Sequence, residues 1–193
     1  TKVINENTPE ETVIKSKRNA VAEPLANYNI MVLDQQFNKN SSVTLINTNV
    51  TRNGEFSDAN VTGLLLDLVN KKNTYGAIGE IKMSTFNDVA NKDNGYSAKA
   101  GVGKNSGKVR YSLVYNYADE NYDINDLGIL FRNNYSNYNA EVSYRIFEHT
   151  KKLNNFYTGV WFNYNQLSNP NDFTEANVGF NLNATNKKLH CFG

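Results

Sequence analysis

Apolar and polar residues alternate with a period of two through most of this chain, and that pattern constrains its fold more than any other feature. Period two places successive side chains on opposite faces of a β-strand. The clearest run is residues 176–184. Ala176, Val178, Phe180, Leu182 and Ala184 fall on one side, opposite Asn177, Gly179, Asn181 and Asn183. Residues 156–166, 138–147 and 109–117 behave alike, with the apolar sides Phe156, Val160, Phe162 and Tyr164; Tyr138, Ala140, Val142, Tyr144 and Ile146; and Val109, Tyr111, Leu113, Tyr115 and Tyr117. Less regular strands are expected at 27–35, 43–52, 59–69, 75–84 and 96–103, with a short one at 127–133 after a loop at 119–125.

Turn chemistry separates these runs. Asn53-Gly54 and Asn94-Gly95 carry the residues that tight hairpins with positive φ require. Asn105-Ser106-Gly107 is spaced like another hairpin, and residues 70–73, 151–155, 168–172 and 186–188 read as polar connectors. Connections this short make neighbouring strands antiparallel. No stretch shows a helical period. The expected fold is all-β: an antiparallel up-and-down meander of about ten strands, forming a transmembrane β-barrel, a segment of one, or a soluble sheet. Residues 1–20 read as an irregular or loop segment and residues 21–193 as the β-barrel region. The polar opening and a final run at 189–193 that looks like the start of another strand suggest a segment of a longer protein.

Composition narrows the function. The formal net charge is +1 and the mean hydropathy is −0.59. A near-neutral chain lacks the basic excess of a nucleic-acid partner. No apolar run approaches the ~18 residues of a membrane helix, but average hydropathy does not exclude a barrel, in which only alternate residues face lipid. The single cysteine, Cys191, and two histidines exclude a disulfide framework and supply no spaced metal-ligand set. The chain holds 34 Asn and is 12% aromatic; tyrosine suits a membrane–water interface. Runs near ten residues suit a tilted membrane strand, although period two alone also describes a soluble antiparallel sheet.

Five segments carry a resemblance: residues 27–37 (NYNIMVLDQQF), 47–52 (NTNVTR), 58–63 (DANVTG), 70–76 (NKKNTYG) and 123–130 (DINDLGIL). In this order they resemble the C-terminal β-barrel region of a Bacteroidota outer-membrane family of unknown function, over most of the chain from about residue 20. Members of that family carry an N-terminal domain similar to carbohydrate-binding family 9, to which these 193 residues do not correspond. The resemblance implies a bacterial outer-membrane location and a membrane-spanning scaffold, channel or accessory role. Its implied partners are outer-membrane lipid and either the remaining strands of the same protein or another subunit of an outer-membrane complex.

No constellation points to catalysis or to a cofactor. Residues 123–128 superficially resemble a calcium loop, but Leu127 stands where an oxygen ligand belongs and Asn134 where a carboxylate belongs; a turn with Asp and Asn bonded to nearby amides is simpler. Gly101-Val102-Gly103-Lys104 ends a strand, whereas a phosphate loop opens a helix. The candidate lumen-facing polar residues are Glu80, Lys82, Arg110, Glu141 and Arg145, alternating in sign with Lys99 so that they can pair across strands. Glu80 and Glu141 are also the one carboxylate pair to consider for glycoside hydrolysis. Tyr157 and Trp161 share a side with Gly159 and are candidates for stacking on a sugar. The alternative to a membrane barrel is a soluble β-sandwich that binds carbohydrate through them.

Overall fold

The computed structural model describes residues 2–3, 12–13, 23–54, 56–87, 92–146, 148, 150–151, 153–188 and 191–192. They form twelve strands: β1 (Lys2–Val3), β2 (Thr12–Val13), β3 (Ala26–Phe37), β4 (Ser41–Arg52), β5 (Asp58–Val69), β6 (Tyr75–Asn87), β7 (Lys92–Lys104), β8 (Val109–Ala118), β9 (Tyr135–Ile146), β10 (Leu153–Gln166), β11 (Phe173–Asn186) and β12 (Cys191–Phe192). β1 and β2 pair with each other, and the rest of residues 1–20 lies outside the described set. β3 to β12 form one sheet in which sequence order is spatial order. Every ladder in it is antiparallel. The expected meander of about ten strands is therefore what the chain builds, and the sheet is open, with β3 and β12 at its edges.

The register keeps the alternation in phase from strand to strand. One row of paired residues runs Leu45, Leu64, Ile81, Ala98, Tyr117 and then ends on Ser136 and Gln166. Another begins at Tyr75 and Lys104 and continues Tyr111, Val142, Val160, Phe180. Both lie on one face, here called the apolar face, and its apolar zone shifts along the strands between β5 and β11. Val178, Phe180 and Ile81 on it are 73%, 66% and 64% exposed. Aromatic rings line its margin: Tyr115–Tyr138, Tyr138–Tyr164 and Tyr164–Phe173 lie 4.8, 6.1 and 5.6 Å apart between centroids.

The opposite face is polar from β6 to β11. Glu80 pairs with Lys99, Asn116 with Asn137, and Asn139 with Asn163. On β3 to β5 the same face is apolar, with Ile30, Val32, Ile46, Val50 and Val61. Buried apolar side chains among the described residues are few: Val50, Ala59, Val61, Ala118 and Tyr122. Four of these lie on this second face, and the fifth belongs to the segment that covers it.

Two sequence expectations are corrected here. Asn94-Gly95 is not a hairpin turn; both residues lie inside β7. Residues 127–133 are not a strand but part of one long connection, residues 119–134. The two errors share a cause. The long connection folds back over the polar face, and a Cβ on Gly95 would stand 2.2 Å from the Tyr122 backbone nitrogen. The glycine is there for close approach of another backbone, one of the roles glycine takes within a strand. By contrast Gly54 and Gly107 do occupy turns, with φ of 91° and 86°.

Gly95→Ala should lift the connection from the sheet. The expected result is destabilisation by roughly 1–3 kcal/mol, the usual range for overpacking, with faster proteolysis inside residues 119–134. An unchanged denaturation midpoint and cleavage pattern would remove this account of Gly95.

Candidate functional site

The polar face gathers the side chains with chemical potential, and the 119–134 connection frames them. Asp119 begins the connection, its carboxylate accepting from the Tyr96 amide at 2.8 Å and from Asn121 N at 3.1 Å. The Asp123 amide donates to Ser84 Oγ at 3.1 Å, while its carboxylate accepts from Asn125 N at 2.8 Å. Asn125 Oδ1 in turn accepts from Leu130 N at 2.9 Å. Residues 123–128 are therefore the Asx-type turn that their polarity suggests. Asp126 forms an ion pair with Arg52 at the end of β4. Asn134, at φ 52°, exchanges two 3.0 Å hydrogen bonds with the Asn169 backbone and so ties this connection to the next one.

Tyr122 is the keystone of the connection, at 4% exposure. Burial raises its phenol pKa, the Glu80 carboxylate and Tyr135 add to the effect, and a hydrogen bond with Ser97 opposes it; the result is about 12. The connection therefore covers the Glu80 end of the polar face.

The expected polar residues separate into two groups. Glu80 and Lys82 form an ion pair along their own strand, at 2.5 Å, although Glu80 also stands opposite Lys99. Arg110, Glu141 and Arg145 line a second place, a cavity of about 220 Å³ shared with Lys104 and Ser143. Glu80 and Glu141 lie three strands apart on β6 and β9. At ~4.8 Å per strand that is about 14 Å along the sheet, beyond the separations of a glycosidase pair.

Tyr157 and Trp161 lie beside the second group. Arg145 pairs with Tyr157 and Glu141 with Trp161 in the β9–β10 ladder. The Arg145 guanidinium carbon stands 4.8 Å from the Tyr157 ring centroid, within cation–π range. The Trp161 indole lies over Gly179, where its Cε2 and Nε1 atoms would stand 2.2 and 2.4 Å from an added Cβ. Tyr157 Oη and Asn181 Oδ1 would each stand 3.0 Å from a Cβ on Gly159. Glycines at 159 and 179 thus let both rings lie low across the sheet. Sequence reading did not single out Gly179, because its relation to Trp161 depends on the β10–β11 register.

A neutral amide ladder completes the face. Asn116 Nδ2 donates to Asn137 Oδ1 at 3.1 Å, and Asn137 bonds onward to Asn165. These three side chains, Tyr135 and Arg132 of the long connection line a cavity of about 320 Å³. Among the described residues no group of three or more His, Cys, Asp and Glu could hold a metal ion. His149 and His190 lie outside the described residues.

A family model described as a domain of unknown function (DUF5916) matches residues 2–193. No curated protein and no solved structure matches the chain.

Tyr122 gives the covered arrangement a pH signature. Its folded pKa is raised above the ordinary tyrosine value of ~10, so the stability it contributes is complete below about pH 10 and is lost as pH rises towards 12. Alkaline absorbance titration should show a tyrosine ionising near 12 that Tyr122→Phe removes. A wild-type titration with every tyrosine ionising near 10 would contradict burial of this side chain.

Proposed function

The chain belongs to that family of unknown function, and we propose that it is a segment of an outer-membrane β-barrel whose apolar face meets lipid and whose polar face lines a wet interior. The carrying observation is the exposed apolar zone that stays in phase across the sheet yet drifts along the strands from β5 to β11. Strands in a barrel tilt, so rows of paired residues are inclined to the membrane plane, and a level slab of lipid selects different rows on successive strands.

Dimensions support the reading. The nine long strands have 10 to 14 residues. At ~3.3 Å per residue a twelve-residue strand is about 40 Å long. Tilted by ~45°, it rises about 28 Å, close to the ~30 Å hydrocarbon thickness. The Tyr115–Tyr138–Tyr164–Phe173 row fits an interfacial girdle, where the ring is apolar and the hydroxyl wet.

An open sheet leaves two unpaired edges, which a complete barrel abolishes. Further strands, from the same protein or from another subunit of an outer-membrane complex, would close it. The role this supports is a membrane-spanning scaffold, channel or accessory component in a bacterial outer membrane. The competing soluble sandwich requires a second sheet over Val160, Phe162, Val178 and Phe180, with the polar face outermost.

Partition decides between them. The full-length protein should enter the detergent phase and migrate on gels as a heat-modifiable barrel; recovery as a folded species in the aqueous phase would sink the proposal. Within the chain, Val142→Arg should destabilise the protein in lipid by roughly 2–4 kcal/mol, and Asn139→Arg on the opposite face by much less. Equal costs would argue against lipid on one side only.

A further inference from the structure

We propose that the polar face carries a binding site for an acidic oligosaccharide, with Trp161 stacking on a sugar ring and Arg145 receiving a carboxylate. The inference concerns the face opposite the apolar one, so it stands whether that apolar face meets lipid or a second sheet.

Trp161 is suited to stacking because its position is set from below. Its indole rests on Gly179 and remains 39% exposed. A large flat ring, lying low on the backbone and open above, presents the surface that the C–H face of a pyranose needs. Tyr157 has a different part. Arg145 sits against its ring, so Tyr157 holds the guanidinium and is not itself the stacking surface.

Charge selects the sugar. On the polar face the cavity beside this platform is lined by Arg110 and Arg145 against the single carboxylate Glu141. The Arg145 side chain is half-exposed beside this cavity, and a planar guanidinium recognises a carboxylate better than any other side chain does. Tyr157 and Trp161 lie four residues apart along β10, about 13 Å at ~3.3 Å per residue. The site therefore spans more than one ring: one uronate stacks on Trp161 while a neighbour's carboxylate meets Arg145. Glu141, exposed and paired with Trp161 in the ladder, accepts from the hydroxyls of the stacked ring.

A glycine covered by a ring also shields sheet backbone without any ligand, and the experiment separates the two roles. Trp161 is the only tryptophan, so emission reports this one position. The chain, folded in a sugar-free amine-oxide detergent or in plain buffer, whichever phase holds it, is titrated with oligogalacturonate, its methyl ester and maltohexaose. The expected result is a saturable emission change with oligogalacturonate at a concentration about tenfold lower than for either neutral ligand, as loss of a charged hydrogen bond requires. Arg145→Gln should remove that preference, and Lys72→Gln in an exposed turn should keep it. No saturable change, or equal affinity for the acid and its methyl ester in the wild type, would overturn the proposal. Because the phase that holds the folded protein is read separately, failure of the sugar site and failure of the membrane reading are distinct outcomes.

Discussion

Pairing register is the constraint on which everything else in this molecule depends. Each ladder from β3 to β11 is antiparallel, and each hairpin returns the chain so that apolar residues meet apolar residues. A slip of one residue at any ladder would send the following strands' apolar side chains to the opposite face. Two unlike faces, each continuous across many strands, are the product of that phase being kept. The amide ladder of Asn116, Asn137 and Asn165 and the apolar row of Tyr111, Val142, Val160 and Phe180 are consequences of the same registers.

The distribution of burial follows from a single-layer sheet. A soluble chain of this size normally buries a large core between packed layers. Among the described residues the buried apolar side chains are few: Val50, Ala59 and Val61 on β4 and β5, Ala118 at the end of β8, and Tyr122 on the 119–134 connection. That connection supplies a local second layer over the sheet, held by Tyr122, by the Arg52–Asp126 pair and by the bond from Asp123 to Ser84. From β6 to β11 the exposed apolar surface lies mainly on the other side, which is why the proposed function turns on what medium that side meets.

Strands and their faces were legible in the sequence because period two is a local property. Val109 to Tyr117 and Ala176 to Ala184 declare their sides without reference to any partner. What sequence reading missed is non-local. Asn94-Gly95 has the composition of a hairpin, yet the glycine answers to backbone arriving from Tyr122. Residues 127–133 carry Leu, Ile and Phe as a strand would, but Asn125 and Asn133 bind the segment's own backbone and hold it as a loop. Of the site residues, the shared face of Arg110, Glu141, Arg145, Tyr157 and Trp161 was readable from parity. Their separation from Glu80 and Lys82, and the seat that Gly179 gives Trp161, required the registers between strands.

The central claim is that one face of this sheet meets lipid and the other water, and the most direct measurement is accessibility along β10. Single cysteines at positions 158 to 164, in a background with Cys191 replaced by serine, would be spin-labelled in lipid vesicles and relaxed by oxygen or by a water-soluble nickel chelate. The account predicts a period of two: oxygen dominant at 158, 160, 162 and 164, nickel dominant at 159, 161 and 163. Nickel access at every position, or a chain that remains folded in water and never enters the vesicles, would contradict it.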